Sequence, residues 1–316
     1  MPAALEANNL TKRYGARTVV NGVTFAVEQG EVFGLLGPNG SGKTTTIRMA
    51  LDIVRPDGGS VSLLGGLPPK DALPKVGYLP EERGLLRKER VADILRYLGM
   101  IKGMPRAAAE DRAQEMLHRV GLFEHRYKRV EALSRGMTQL IQFAGAIMHG
   151  PELIILDEPF SGLDPINVQL MKALIREQHA RGATVIFSTH IMSDVEELCQ
   201  RVALISDGAL LLYGRLSEIK KARGINGVRV IADRQPPPPP GLETAIQDGS
   251  AEYRFVNGGA PDSVLRAYLD AGIAVEKFEL MVPTLNDIFI QEVSKARSSR
   301  PSAAETSAGV GLRRLK

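Results

Sequence analysis

The chain opens with period-two alternation of apolar and polar positions. Residues 9–15 (NLTKRYG) and 18–32 (TVVNGVTFAVEQGEV) alternate and break at glycine, which predicts short strands joined by turns. Residues 32–37 (VFGLLG) form a near-continuous apolar run that ends in glycines. A helix-compatible stretch, residues 44–54 (TTTIRMALDIV), follows, giving strand, Gly-rich loop, helix. From Arg90 to about Glu131 the period lengthens: Val91, Ile94, Leu95 and Leu98, then Ala113, Met116, Leu117 and Val120, recur at helical spacing. Pro105 suits a helix start between the two sets. Residues 152–159 (ELIILDEP) and 183–190 (ATVIFSTH) read as buried strands, with 167–182 as a helix between them. Strands separated by helices imply a parallel sheet.

The pattern stops near Ile231, where Pro236 to Pro240 form a stiff extended segment, a linker or a long loop. Strand-like segments at 227–232, 253–256 and 275–282 surround a helix with Val264, Leu265, Tyr268 and Leu269 on one face. These predict a small α/β domain over 226–295, followed by a Ser/Ala/Arg-rich tail, 296–316, expected to be disordered. At 316 residues, 44% hydrophobic and 24% charged, the composition suits two globular domains. The net charge of +4 is mild and unaccompanied by a dense basic run, so no nucleic-acid partner is expected. The single cysteine, Cys199, excludes an internal disulfide and reads as a buried core residue. No apolar run is long enough to span a bilayer, and the first fifteen residues lack a signal-peptide core. A cytoplasmic chain is expected, with any membrane role supplied by a partner.

Two motifs carry chemistry. Gly37-Pro38-Asn39-Gly40-Ser41-Gly42-Lys43-Thr44, followed by Thr45, matches G-x-x-x-x-G-K-[ST]. Its glycines let backbone N–H groups surround phosphate oxygens, and the helix N-terminus adds positive potential. Lys43 is expected to reach the terminal phosphates of a nucleotide and Thr44 to hold Mg²⁺. Independently, the strand 153–156 delivers Asp157 and Glu158 to its carboxyl end. Asp157 suits the Mg²⁺ shell, and Glu158 suits a general base for the attacking water. Ser134 and Gly136 suggest a hydroxyl-capped helix N-terminus with an open backbone, a further phosphate binder without a lysine.

With these motifs the chain resembles the ABC (ATP-binding cassette) ATPases over residues 3 to about 225. Residues 133–137 (LSRGM) are similar to that family's LSGGQ signature, and 161–164 (SGLD) to its D-loop. Residues 188–190 (STH) resemble its switch segment, and Tyr14 falls where the family stacks a ring on adenine. The resemblance implies a P-loop ABC ATPase fold over 1–225: a mixed, mainly parallel core sheet, an antiparallel β subdomain and a helical subdomain at about 85–135. It implies ATP and Mg²⁺ as ligands, with Tyr14, Gly37, Asn39, Gly40, Ser41, Gly42, Lys43, Thr44 and Thr45 on ATP. Lys43, Glu158 and His190 are then catalytic, and His190 holds the γ-phosphate and the water. It further implies a head-to-tail homodimer or heterodimer, in which Ser134, Gly136 and Asp164 contact the partner's ATP. The membrane partner is a separate permease, and the chain sits peripherally on the inner face of the membrane.

Two departures matter. Glu81 stands where the family usually has Gln, leaving Mg²⁺ coordination (with Thr44 and Asp157) or coupling to the permease as its role. Arg135 replaces a signature glycine, either adding charge near the partner's phosphate or facing solvent. Residues 79–85, 133–137 and 283–293 resemble an exporter-type subgroup that includes sodium-efflux ATPases. The expected function is the motor of an exporter. The alternative is a soluble ABC-type ATPase, which in this family usually carries tandem cassettes or a long coiled-coil insertion, features not seen here.

Overall fold

The computed structural model describes residues 3–82, 84–238, 242–247, 250–255 and 260–298. They divide into two compact units, Met1–Gly214 and Arg215–Lys316. The division falls before residue 225, where the sequence pattern put it.

In the first unit, β1 (Ala3–Tyr14) pairs antiparallel with β2 (Arg17–Glu28) and with β4 (Gly58–Leu63). The core sheet has six strands: β3 (Val32–Leu36), β5 (Val76–Leu79), β6 (Leu153–Asp157), β7 (Thr184–Thr189), β8 (Arg201–Ser206) and β9 (Ala209–Arg215). Their order is β5-β6-β7-β3-β8-β9, and the first five run parallel. Every residue of β3, β6 and β7 is buried, which explains their unbroken apolar runs. Ile47, Met49 and Ala50 of the helix Lys43–Ala50 join Phe25, Phe33 and Ile155 in one core between the two sheets. The Phe25 and Phe33 rings stack at 5.6 Å. This arrangement has a direct consequence for function. β6, β7 and β3 are neighbours, so the residues that follow their carboxyl ends meet at one edge of the sheet.

The helical subdomain carries Val91–Ile101, Arg106–Arg119 and Arg135–Ile147. Val91, Ile94, Leu95, Ala113, Met116, Leu117 and Val120 are buried, as their spacing requires.

The second unit holds β10 (Gly227–Ala232), β11 (Leu242–Gln247), β12 (Ser250–Phe255) and β13 (Val275–Met281) in the antiparallel order β11-β12-β10-β13. Val264 and Tyr268 of the helix Pro261–Asp270 enter its core, where the Tyr253 and Tyr268 hydroxyls lie 2.9 Å apart. Leu269 departs from the expected face and is 63% exposed. The proline run falls between β10 and β11, so its described part, 236–238, is a loop inside this unit and not a linker between units. The last helix, Leu285–Ser298, continues three residues into the segment expected to be a disordered tail, correcting that expectation for 296–298. Residues 299–316 lie outside the described residues.

His149 follows the helix Arg135–Ile147, and burial, then the Lys102 ammonium, hold its imidazole pKa down to about 4. A depressed folded-state pKa means the unfolded chain binds the proton first as pH falls below 6.5. The first unit is therefore expected to lose up to about 3 kcal/mol through this group between pH 6.5 and 4. Urea titrations across that range should show a shallower loss in His149→Asn than in the wild type.

Candidate phosphate site

The loop after β3 is shaped by contacts that only glycine permits. Gly37 has φ +153, and a Cβ there would lie 2.1 Å from the Ile205 carbonyl oxygen. Gly42 has φ +109, and a Cβ there would meet the Val19 carbonyl oxygen at 2.7 Å. The loop is thus pressed against β2 and β8, and its backbone curls round a cleft. Asn39, Gly40, Gly42, Lys43, Thr44, Thr45, Glu81 and Glu158 line the cleft together with Val19.

Lys43 donates to the Gly37 carbonyl at 2.8 Å and the Pro38 carbonyl at 3.3 Å. Its ammonium also lies 3.5 Å from Glu158 Oε1. Ser41 Oγ is buried without a hydrogen-bond partner. Asp157 is fully buried. Its Oδ1 accepts a bond from the Ser188 hydroxyl, while Oδ2 has no partner. Burial pushes the Asp157 carboxyl above the usual range, the Ser188 and Thr44 hydroxyls oppose this, and the Glu81 and Glu158 carboxylates add to the rise. The Thr44 hydroxyl donates to Glu81 Oε2 at 3.4 Å.

Glu158 has φ +47, a left-handed conformation that costs a non-glycine residue energy. Ser188 holds it there: the Glu158 N–H lies 3.2 Å from the Ser188 carbonyl and 3.0 Å from its hydroxyl. The His190 Nδ1 lies 3.1 Å from each Glu158 oxygen. Ser188 of β7 and His190 after it thereby meet Glu158, which follows β6 and faces the Lys43 ammonium.

The remaining predicted residues stand apart from the cleft lining. Ser134 caps the helix Arg135–Ile147, its hydroxyl accepting from Met137 N–H at 3.2 Å. Asp164 caps Pro165–Ala180 through the N–H groups of Ile166 and Asn167. Those bonds, Asn167 first, hold its carboxyl below the usual range. Gly136 shares the turn of Ser134. Tyr14 ends β1 as a 52% exposed residue, and Lys12, anchored on Asp57 and the Arg55 carbonyl, stands 5.6 Å from its ring centre. Sequence reasoning missed Val19, which lines the cleft and whose carbonyl crowds Gly42, and the support that Ser188 gives both acids. Neither carries a motif signal.

The orphaned Ser41 hydroxyl and Asp157 oxygen, the glycine cradle and the hydroxyl of Thr44 fit a polyphosphate with a hard divalent cation. Fold and cleft together define a P-loop nucleotide-hydrolysing domain.

Comparison with known proteins gives the family. The ABC transporter family model matches residues 20–161, and that of the DrrA1-3-like ATP-binding protein C-terminal domain matches 214–293. The chain is 38% identical over 294 residues to YhaQ of Bacillus subtilis, an uncharacterized ABC transporter ATP-binding protein, covering 92% of this chain and 98% of that one. The linearmycin resistance ATP-binding protein LnrL of the same organism is 37% identical over 68% of this chain and 70% of its own length. The Nod factor export ATP-binding protein I of Burkholderia lata is 38% identical over 68% and 72%. Among solved structures, an ATP-binding subunit of an ABC transporter matches with a TM-score of 0.65 at 32% identity, covering 70% of this chain and 93% of its own. The cbiO1 subunit of Clostridium perfringens, part of the ABC transporter complex cbiONQ, matches with a TM-score of 0.60 at 25% identity, covering 69% and 91%.

The chain belongs to the ABC transporter ATP-binding proteins. It is an ATPase that binds ATP with Mg²⁺, and subunits of this family work with membrane permease components. Among the described residues no helix is long and apolar enough to cross a membrane.

Gly37→Ala should force the loop off Ile205. ATP affinity, read by fluorescent-nucleotide titration, is expected to fall by at least about tenfold, with a stability loss of roughly 2 kcal/mol.

Proposed function

We propose that this chain is the ATP-hydrolysing motor of an exporter whose permease is a separate polypeptide, and that it works as a facing pair of cassettes. The observation that carries the reading is the split of the site. Lys43, Thr44, Glu81 and Glu158 line one cleft, whereas the capped turn of Ser134 and Gly136 is not among its lining residues. An open N-terminal turn without a lysine is completed by the nucleotide of a second subunit, with Asp164 beside it. Export is favoured by the two named relatives, one a Nod factor export protein and one a resistance protein. The subgroup resemblance at 79–85, 133–137 and 283–293 points to the same direction, with sodium-efflux ATPases among its members.

The roles follow from the geometry. Mg²⁺, when bound, would neutralise charge developing on the transferred phosphoryl group. Thr44 and Asp157 would hold it, Asp157 through the Oδ2 that has no partner. Lys43 leaves the loop carbonyls for the terminal phosphate. Glu158 then loses its cationic neighbour and accepts a proton from the attacking water at Oε1 or Oε2. His190, 3.1 Å from both oxygens, holds that carboxylate in line and donates toward the phosphate. Tyr14 stacks on the base. The groove lined by Tyr78, Pro80, Leu85, Leu98, Ile101 and Gln142 receives an apolar segment of the permease. Tyr97 and Met100, exposed on the helix Val91–Ile101, extend the apolar surface of that helix.

Glu158→Gln is expected to keep ATP binding, to dimerise with ATP and to lose at least about a hundredfold in kcat, read in a steady-state phosphate-release assay. Unchanged turnover removes Glu158 from the role of base. Glu81 contributes a third carboxylate near Thr44 and Asp157. Glu81→Gln is expected to weaken divalent binding by roughly three- to tenfold, measured as Mn²⁺ affinity by paramagnetic resonance in the presence of ATP. Unaltered Mn²⁺ affinity assigns Glu81 to permease coupling instead.

A further inference from the structure

Arg135 is exposed, and its side chain also makes contacts that the sequence did not suggest. It turns back onto its own subunit. Its Nη2 donates to Ser161 Oγ at 3.2 Å. Its stem lies across Gly162, where a Cβ would stand 2.6 Å from Nε and 2.8 Å from Cδ. Gly162 has φ +77, so the backbone bends there in a conformation that keeps the contact open. A Cβ at Gly136, in the same turn as Arg135, would lie 3.4 Å from the Gly162 carbonyl oxygen. The two segments are packed together; Arg135 bonds the loop at its exposed tip, while Gln139 of the same helix bonds it at Pro159.

The base of the loop is anchored separately: Gln139 Nε2 donates to the Pro159 carbonyl at 3.0 Å, and buried Phe160 packs edge-on against Phe187, so Arg135 acts on the tip. Ser161 and Gly162 are exposed. The loop's internal backbone bonds are long, Ser161 N–H to the Glu158 carbonyl at 3.2 Å and Leu163 N–H to the Phe160 carbonyl at 3.3 Å. On one side of the contact stands Ser134, capping the helix that starts at Arg135. On the other stands Asp164, capping the helix that starts at Pro165. Arg135 itself is not among the residues lining the phosphate cleft of its own subunit.

We propose that Arg135 is a positioning residue that ties the signature turn to the loop 160–163 within one subunit, so that Ser134 and Asp164 meet the partner's nucleotide as a single preset pair. The inference rests on the facing-pair reading. Without the tie, the loop tip before Asp164 is held to the signature helix through Gln139 and Pro159 alone and must be ordered when the subunits close, so closure weakens although neither subunit's own cleft has changed. A planar guanidinium lies flat on a glycine backbone while reaching a hydroxyl, which an ammonium on a round stem does not reproduce.

The test uses the full chain with Arg135→Ala, Ser161→Ala, the double variant and Arg135→Lys. In the nucleotide-free subunit, amide exchange over 160–164 is expected to rise about fivefold or more in each single variant, with no further rise in the double. In the Glu158→Gln background, the ATP-driven dimer constant should weaken by roughly tenfold in each single variant, non-additively, while ATP affinity of the isolated subunit stays within about twofold. Arg135→Lys should not restore the dimer. Unchanged exchange over 160–164 overturns the proposal, as does raised exchange with an unchanged dimer constant. Restoration by Lys with a silent Ser161→Ala also overturns it, and gives Arg135 to the partner's phosphate. If Glu158→Gln itself fails to dimerise with ATP, the facing-pair reading falls and the coupling with it, while the exchange measurement still reports the contact.

Discussion

The ammonium of Lys43 organises everything around it. It sits between the Gly37 and Pro38 carbonyls and the Glu158 carboxylate, 6% exposed, in a cleft that also faces Glu81. A buried cation must be paired, and a buried carboxylate must be paired too. In the nucleotide-free subunit the two satisfy each other. A terminal phosphate that attracts Lys43 leaves Glu158 needing a proton or a new donor, which is the condition of a general base. The left-handed backbone at Glu158 and the two bonds its N–H donates to Ser188 keep the carboxylate in place while its partner changes.

The sheet makes this arrangement inexpensive to assemble. β6, β7 and β3 are adjacent and parallel, so Asp157 and Glu158, Ser188 and His190, and the glycine loop leave the sheet at the same edge. The bond between Ser188 and Asp157 fastens two of those strand ends side by side. Burial of all three strands keeps the register rigid, and the groups proposed as catalytic inherit that rigidity.

Much of this was legible in the chain because phosphate chemistry demands contiguous residues. Gly37 through Thr44 must curl one backbone segment round one anion, so the motif lies in a single stretch. The parallel core was legible because strands covered on both faces must be apolar throughout. The role of Ser188 was not legible, since a serine in a buried strand declares nothing until its neighbour strand is known. The same holds for Val19. β11 was missed because the strand 242–247 is largely exposed and held through its backbone pairing with β12, which leaves no apolar pattern to read. The direction of Arg135 was undecidable from sequence because it depends on Gly162, which lies 27 residues further along.

The account divides one phosphate site between two subunits, and complementation measures that division directly. Lys43→Ala subunits and Ser134→Arg subunits should each hydrolyse almost nothing alone. Mixed together, they form dimers in which one site has both Lys43 and Ser134 intact, so ATP turnover should rise well above either parent. A mixture no more active than its parents would mean that Lys43 and Ser134 serve the nucleotide of the same subunit, and the divided site would be wrong.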